Sequence, residues 1–204
     1  MRRTLQICTA GGSVLAYDAN EKTLYGTKGP LGSNDAKTLV KSSDEWESVT
    51  ELHTYQERLL GVWVLDDDSM LLSFADGSIH RASSKHSPGE TSEVIGASEF
   101  GSGATSQTFQ AQVAINGRAI LLGEYGPQGP TNGARKVFYS QDYGTTWRLV
   151  YEGENATAWH THSVELDPYQ NLAWVVYGDE PGNILYSRNI WATNPSWTKL
   201  FPAV

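Results

Sequence analysis

Short apolar runs recur along the chain, and polar or glycine-rich turns separate them. Six of these runs are SVLAY, LLGVWVL, MLLSF, FQAQVAI, AILLGEY and LAWVVY. They either alternate apolar with polar positions or are apolar throughout, and no long stretch has apolar residues at helical spacing. Runs of this length between turns are typical of β-strands. The pattern therefore predicts an all-β protein.

The strand pattern also repeats along the chain. Asp18, Asp66, Asn116 and Asp167 each follow an apolar run, at spacings of 48, 50 and 51 residues. A second landmark, Ser-x-Asp or Ser-x-Asn, follows a later strand at Ser42/Asp44, Ser140/Asp142 and Ser187/Asn189. The second unit has only a degenerate version, KHSPGETS. A repeat of this length with four strands predicts one blade of a β-propeller.

We therefore expect a single propeller domain over all 204 residues, built from four-stranded antiparallel blades. The blades are predicted at approximately 9–52, 58–96, 108–153 and 160–202. Three arrangements of about four blades stay open. The ring closes with four blades, the sequence is part of a longer chain, or two copies form a homo-oligomer that completes the ring.

The stretch YSQDYGTTW, residues 139–147, contains the most regular copy of the second landmark. Its acidic and hydroxyl side chains can hydrogen-bond within the turn, its glycine permits a tight backbone, and its tryptophan can pack between blades. Ser140, Asp142, Gly144, Thr146 and Trp147 match the pattern Ser-x-Asp-x-Gly-x-Thr-Trp. In this the chain resembles the sialidase-like BNR/Asp-box β-propellers. The resemblance implies that the motif is structural and lies far from an active site.

The resemblance also implies what an active sialidase would need. That family uses three arginines on a carboxylate, a tyrosine–glutamate nucleophile pair and an aspartate acid/base. Only Arg58 and Arg135 fall near the expected ligand rim, and the Arg-Ile/Val-Pro motif is missing from the sequence. This departure argues against sialidase chemistry. Hydrolysis of another glycoside by two carboxylates, with Glu124 and Asp179 as candidates, stays an alternative.

Blade topology predicts which rim binds a ligand. The connections between second and third strands, and those between blades, lie on one rim, and the Asp-box turns lie on the other. The longer loops belong to the first rim, at 27–37, 124–134 and 178–183, together with the connections 51–58, 96–109 and 152–162. Long loops on a rigid scaffold commonly carry function.

The candidate ligand residues on this rim are Arg58, Tyr125, Arg135, Trp159, His160 and His162. His160 and His162 are two apart in a strand, so their side chains share a face. With Glu124 or Asp179 they could bind a metal or exchange protons. The alternative is a hydrogen-bonded pair, since spacing fixes no third ligand. Trp159 and Tyr125 could stack on a sugar ring or pack between blades.

Charge and composition restrict the partners. A formal net charge of −8 and a pI near 5.1 disfavour nucleic-acid binding. No run approaches the roughly 20 apolar residues of a membrane helix, and the start MRRTLQICTAGG lacks the apolar core of a signal peptide. We expect a soluble chain without a cofactor, and an extracellular or virion-associated role stays open. The single cysteine, Cys8, excludes an intramolecular disulfide.

These observations favour a binding or interaction module, for a carbohydrate or another surface polymer, over an enzyme. A noncatalytic propeller needs no fixed constellation of catalytic groups, and none is evident in the sequence. The alternatives are a glycoside hydrolase on the same fold and an attachment component of a phage or a cell surface.

Overall fold

The computed structural model describes residues 12–126, 135–154, 160–178 and 182–200. Four antiparallel sheets of four strands follow one another along the chain, and within each sheet neighbouring strands are consecutive in sequence. Each sheet is therefore a simple meander. The strands are two to seven residues long.

The first sheet contains β1 (Ser13–Asp18), β2 (Thr23–Thr27), β3 (Thr38–Ser42) and β4 (Thr50–Thr54). The second contains β5 (Leu59–Val64), β6 (Met70–Phe74), β7 (Ile79–Ala82) and β8 (Thr91–Ile95). The third contains β9 (Val113–Asn116), β10 (Ala119–Gly123), β11 (Lys136–Ser140) and β12 (Arg148–Glu152). The fourth contains β13 (Thr161–Asp167), β14 (Leu172–Tyr177), β15 (Asn183–Ser187) and β16 (Thr198–Lys199). Short 3-10 helices lie at Asn34–Lys37, Ala97–Glu99, Gly103–Thr105 and Gln110–Gln112.

Three apolar clusters join the sheets face to face in chain order. One lies between the first and second sheets, one between the second and third, and one between the third and fourth. A sheet in the middle of the array thus buries both faces, one against its predecessor and one against its successor. Four-stranded meanders stacked in this way are the blades of a β-propeller, as the repeat predicted, and the described residues contain four of them.

The second sheet shows why some strands are apolar throughout. Along β6, Met70 and Leu72 face the first sheet, and Leu71 between them faces the third. Successive side chains of a strand point to opposite faces, so a strand buried on both faces has no polar alternation. All five residues of β6 are buried.

The repeat extends to irregularities that the sequence does not reveal. In the first three sheets the pairing of the third with the fourth strand skips one residue of the fourth strand, at Leu52, Val94 and Val150. One extra residue in a strand is a β-bulge, which bends and twists the strand locally. The blades therefore share their bends as well as their strand order.

Two details differ from the sequence prediction. Asp18 and Asp167 accept backbone hydrogen bonds within the turn that joins the first two strands of their sheets. In the second sheet Asp67, not Asp66, accepts the bond, from the Ser69 amide at 3.2 Å. The predicted landmark is one residue early, because the loop between Leu65 and Ser69 is shorter there. In the third sheet, β9 begins only at Val113, since 110–112 form a 3-10 turn.

Candidate functional site

Two histidines lie where the fourth sheet begins. The pairing of β13 with β14 joins Thr161 to Tyr177 and Ser163 to Val176, so His162 is an extra residue without a partner opposite it. A bulge redirects the side chain that it contains. The first strands of the first and second sheets have the same bulge, with Leu15 and Leu60 as the extra residues. A histidine thus occupies a position where those two sheets have leucine.

The two imidazoles contact each other directly. Their Nε2 atoms lie 2.8 Å apart, and their rings stack with centroids 4.7 Å apart and planes 18° apart. His160 is buried and His162 is exposed. One Nε2 donates and the other accepts, so the pair holds a single proton between these atoms when both rings are neutral. The Nδ1 atom of His162 is not part of this bond.

Glycine and glutamine hold His162 in this position. A Cβ atom on Gly178 would lie 2.0 Å from Nε2 of His162, so the imidazole occupies space that any side chain at residue 178 would fill. Gln112 donates from Nε2 to the His162 carbonyl at 2.7 Å, which connects the third sheet to the fourth. The Gly178 amide donates to the His160 carbonyl at 3.1 Å. The exposed ring therefore lies on a fixed support.

Tyr125 completes an aromatic cluster with the two histidines. Its ring centroid lies 4.5 Å from that of His160 and 6.3 Å from that of His162, and Phe109 packs on it at 5.9 Å. Tyr125 also exchanges two backbone hydrogen bonds with Gln107, in the connection between the second and third sheets. Three different segments of the rim thus converge on one imidazole pair.

Glu124 precedes Tyr125, but its carboxylate serves the neighbouring connection. The side chain is fully buried. Oε1 accepts from the Ser102 amide at 2.8 Å, the Ser102 hydroxyl at 3.0 Å and the Ser106 hydroxyl at 2.6 Å. Oε2 accepts from the Lys136 amide at 3.2 Å. The carboxylate anchors the 97–106 segment to the third sheet.

The other candidate rim residues are distributed around the rim. Arg58 donates to the Gly32 carbonyl at 2.8 Å, so it belongs to the junction of the first and second sheets. Arg135 is buried near the fourth sheet, and its carbonyl accepts from the Tyr177 hydroxyl at 2.6 Å. Trp159 and Asp179 lie outside the described residues. Of the predicted ligand residues, Tyr125, His160 and His162 come into mutual contact.

The two histidines have no further metal-binding side chain arranged with them in the described parts of the chain. Within 12–126, 135–154, 160–178 and 182–200, no group of three or more His, Cys, Asp or Glu side chains could hold a metal ion. Over the same residues, no helix is both long enough and apolar enough to cross a membrane.

The opposite rim contains the Ser-x-Asp turn between β11 and β12. Ser140 donates to Asp142 at 2.8 Å and accepts from the Gly144 amide at 3.0 Å. Asp142 also accepts from the amide and the hydroxyl of Thr146, at 2.9 and 2.6 Å. Burial disfavours the charge of Asp142, but these hydrogen bonds outweigh it and lower the pKa of the carboxyl. Trp147 packs into the apolar cluster between the second and third sheets.

Two other turns have the same hydrogen-bond pattern. In the first sheet, Ser42 donates to Asp44 at 2.6 Å, and Asp44 accepts from the amide and the hydroxyl of Ser48. Hydrogen bonds from Ser42 and Ser48 lower the pKa of Asp44 to about 2. In the fourth sheet, Asn189 accepts from Ser187 and from Ser196, seven residues further on. The pattern persists although the fourth sheet has a longer loop and a neutral acceptor.

At the equivalent turn, the second sheet has a buried lysine instead of this hydrogen-bond pattern, and sequence reasoning missed it. Lys85 is 2% exposed, and its Nζ lies 2.5 Å from Asp18, 2.8 Å from Asp68 and 3.0 Å from Glu21. Burial disfavours the ammonium charge, but hydrogen bonds to these three carboxylates outweigh it and raise the pKa of Lys85. Asp68, in the turn between β5 and β6, thus binds the connection between β7 and β8 of the same sheet.

Comparisons with known proteins identify no family. No protein-family profile matches the chain, and no curated protein matches it. Among solved structures, the chain is similar to one in the crystal structure of a nidogen/laminin complex, with 13% identity and a TM-score of 0.49. The match covers 89% of this chain and 63% of that one, so this chain spans less than two thirds of its length.

Proposed function

We propose that this propeller is a noncatalytic interaction module that binds a carbohydrate, or another polyhydroxylated surface polymer, at Tyr125, His160 and His162. The observation that carries the proposal is an exposed imidazole held rigidly against two aromatic rings on the loop-rich rim. Ring faces take the apolar side of a sugar, and a convergent imidazole nitrogen can hydrogen-bond a hydroxyl. Preorganisation lowers the entropic cost of binding.

The state of Glu124 supports binding over hydrolysis. A glycosidase needs two carboxyl groups that can reach the glycosidic bond. Glu124 has no exposed surface, and both of its oxygens accept hydrogen bonds from the protein. A carboxylate engaged in this way positions a loop. Attachment to a phage or cell surface is compatible with the same binding site, because such surfaces display polysaccharides.

We also propose that the chain is a divergent member of the sialidase-like BNR/Asp-box propellers. The support is the shared geometry of three turns, at Ser42/Asp44, Ser140/Asp142 and Ser187/Asn189, where a serine donates to an acceptor two residues on. In each case that acceptor then binds backbone and hydroxyl donors further along the turn. This pattern requires particular residue types at fixed positions, and those positions recur in three sheets.

A glycan panel tests the proposed site. We expect the wild-type protein to bind at least one glycan by calorimetry, and His162→Ala and Tyr125→Ala each to weaken it by about tenfold or more. His86→Ala is the matched control, because His86 is exposed on the opposite rim and should leave affinity unchanged. Failure of the panel to bind, or equal binding by all variants, would overturn the proposal.

Product analysis on the same panel separates a binder from a hydrolase. We expect no glycoside turnover by the wild-type protein under conditions where it binds. Turnover that Glu124→Gln abolishes, with the fold intact by circular dichroism, would instead establish the hydrolase alternative.

A further inference from the structure

The fourth sheet presents an outward face that corresponds, position by position, to a buried face of the other sheets. Two cross-strand pairs on the second and third strands of each sheet mark this face. The first set is Tyr25–Lys41, Leu71–Arg81, Leu121–Tyr139 and Trp174–Tyr186. The second set is Thr27–Leu39, Ser73–Ile79, Gly123–Val137 and Val176–Ile184. In the first three sheets this face packs on the next sheet in the chain.

Burial differs sharply at equivalent positions. Tyr25, Leu71 and Leu121 are each 0% exposed, whereas Trp174 at the same position is only half-buried. Leu39, Ile79 and Val137 are likewise almost fully buried, and the corresponding Ile184 is half-buried. Val176 and Tyr186 are also half-buried. The fourth sheet thus has the side chains of a packed face without full packing.

This end face is also more apolar than the equivalent faces of the first two sheets. Lys41 and Arg81 occupy the position of Tyr186, and Thr27 and Ser73 occupy the position of Val176. A face exposed to water is expected to have more polar residues than a buried face, but the face of the fourth sheet has fewer than those of the first two sheets. Apolar side chains that remain partly open to water over a contiguous face favour a further packing partner.

The first sheet offers a face of the complementary kind. Its own outward face includes Tyr17, 59% exposed, and its cross-strand neighbour Leu24, half-buried. In the other sheets the residues equivalent to Leu24 pack on the preceding sheet, as Ala173 does in the fourth. Within the described residues, none of the three apolar clusters joins the fourth sheet to the first. Over the described residues, the outward faces of the first and fourth sheets are therefore less completely packed than the faces between sheets.

We propose that the free face of the fourth sheet, defined by Trp174, Val176, Ile184 and Tyr186, docks on the outward face of the first sheet in a second copy of this chain. The contact continues the stacking that already occurs three times within the chain. The reciprocal contact, from the fourth sheet of the second copy to the first sheet of the first copy, closes a ring of eight sheets. A heterologous contact that closes gives a finite assembly.

The area of the contact favours this reciprocal pair. Four strands at a spacing of about 4.8 Å and five residues at about 3.3 Å give a face of roughly 300 Å². One sheet-to-sheet contact counts two such faces, or roughly 600 Å², which is below the standard size of a specific interface. Two reciprocal contacts reach roughly 1,200 Å², the lower end of that standard size. The two contacts are therefore expected to form together.

Sedimentation over a concentration series tests the pairing. We expect a concentration-dependent dimer for the wild-type protein and a monomer for Trp174→Glu. Ile184→Glu provides a second variant with the same expected outcome, because Ile184 is half-buried and lies outside the apolar cluster that joins the third and fourth sheets. Tyr169→Glu is the matched control: its ring is 95% exposed on the turn between β13 and β14, and the dimer should persist.

Mixing two variants tests which faces meet. Tyr17→Glu alone should also be monomeric, because each of its contacts includes an altered first sheet. Combined with Trp174→Glu, it should form a heterodimer with one intact contact and weaker affinity than the wild type. A monomeric wild type, or a dimer that both fourth-sheet variants preserve, would overturn the proposal. So would a dimer that Trp174→Glu abolishes and Tyr17→Glu leaves intact, since the fourth sheets would then pair with each other.

Discussion

Polar side chains on the two rims of the propeller lie in different environments. On the turn rim, Lys85 and Asp142 direct their charged atoms at partners within the protein. On the loop-rich rim Glu124 does the same, whereas His162 is exposed beside Tyr125. An acidic residue in a conspicuous loop is thus a poor guide to function, because internal donors can satisfy it completely. The exposure of His162 beside an aromatic ring is the feature that we propose a ligand uses.

Lys85 and Glu124 illustrate two ways of connecting neighbouring blades. Lys85 brings an ammonium to carboxylates of the first and second sheets, so the contact depends on charge. Glu124 receives only hydroxyl and amide donors, so it needs the geometry of its loop. Removing the partner of either group leaves a buried polar group unsatisfied. Losing a charged partner costs more free energy of folding than losing a neutral one.

The largest expected effect is that of Lys85→Met. It leaves the buried Asp18 carboxylate without its cation, and breaking a buried ion pair from one side costs about 3–5 kcal/mol. Urea denaturation of wild type and variant measures the difference in the free energy of unfolding. Lys28→Met is the matched control, since its ion pair with Glu51 is about half exposed and should contribute little. Equal losses in the two variants would contradict the role given to Lys85.

A smaller loss is expected for Glu124→Gln. The amide has one oxygen acceptor instead of two, so a donor among Ser102, Ser106 and the Lys136 amide loses its partner, at a cost of about 1–3 kcal/mol. Hydrogen exchange should rise in the 97–106 segment more than in the sheets. Glu152→Gln, in an exposed position of β12, serves as the control. Unchanged exchange in 97–106 would show that Glu124 does not anchor this segment.

The Ser-x-Asp and Ser-x-Asn turns provide a graded comparison on one rim. Asp142→Ala removes three hydrogen bonds beyond the one from Ser140 and should destabilise by about 1–2 kcal/mol. Asn189→Ala removes neutral hydrogen bonds to Ser187 and Ser196 and should cost about 0.5–1 kcal/mol. Thermal unfolding at one pH measures both. A larger loss for Asn189→Ala would contradict the ranking by charge.

Near neutral pH, the smallest expected effect is that of pH on the free energy of unfolding. The pKa of Asp142 is lowered by folding, so the folded protein binds fewer protons there than the unfolded chain. Its contribution is fully present above the unfolded pKa of about 3.9 and is lost as pH falls through the lower folded pKa. We expect stability to be nearly constant from about pH 7 to pH 5 and to fall below about pH 4. In Asp142→Asn this decline should be shallower, and an identical decline would exclude Asp142 as a contributor.

The candidate site was only partly accessible to sequence reasoning. The alternation rule placed His160 and His162 on one face, which locates them on the same strand but does not predict the 2.8 Å contact. That contact depends on the bulge at His162 and on Gly178 beneath its ring. No local signal marks a bulge in the sequence, because it arises from how two strands pair.

The burial of Lys85 is a second feature that sequence reasoning could not find. Its position in the degenerate KHSPGETS turn indicated only that the Ser-x-Asp landmark was lost. Its partners Asp18 and Asp68 are far from it along the chain, in two other hairpins. Long-range ion pairs leave no periodic trace in a sequence. No sequence pattern therefore indicated that Lys85 is buried.

By itself the sequence determined the all-β class, the fifty-residue repeat and the turns that close each hairpin, because side-chain alternation and turn chemistry act between residues close in the chain. Only the tertiary structure decided which polar groups are consumed internally, which imidazole stays open to a ligand, and which sheet face remains incompletely packed. Those properties depend on what a neighbouring blade brings within a few ångströms, and that neighbour lies some fifty residues away.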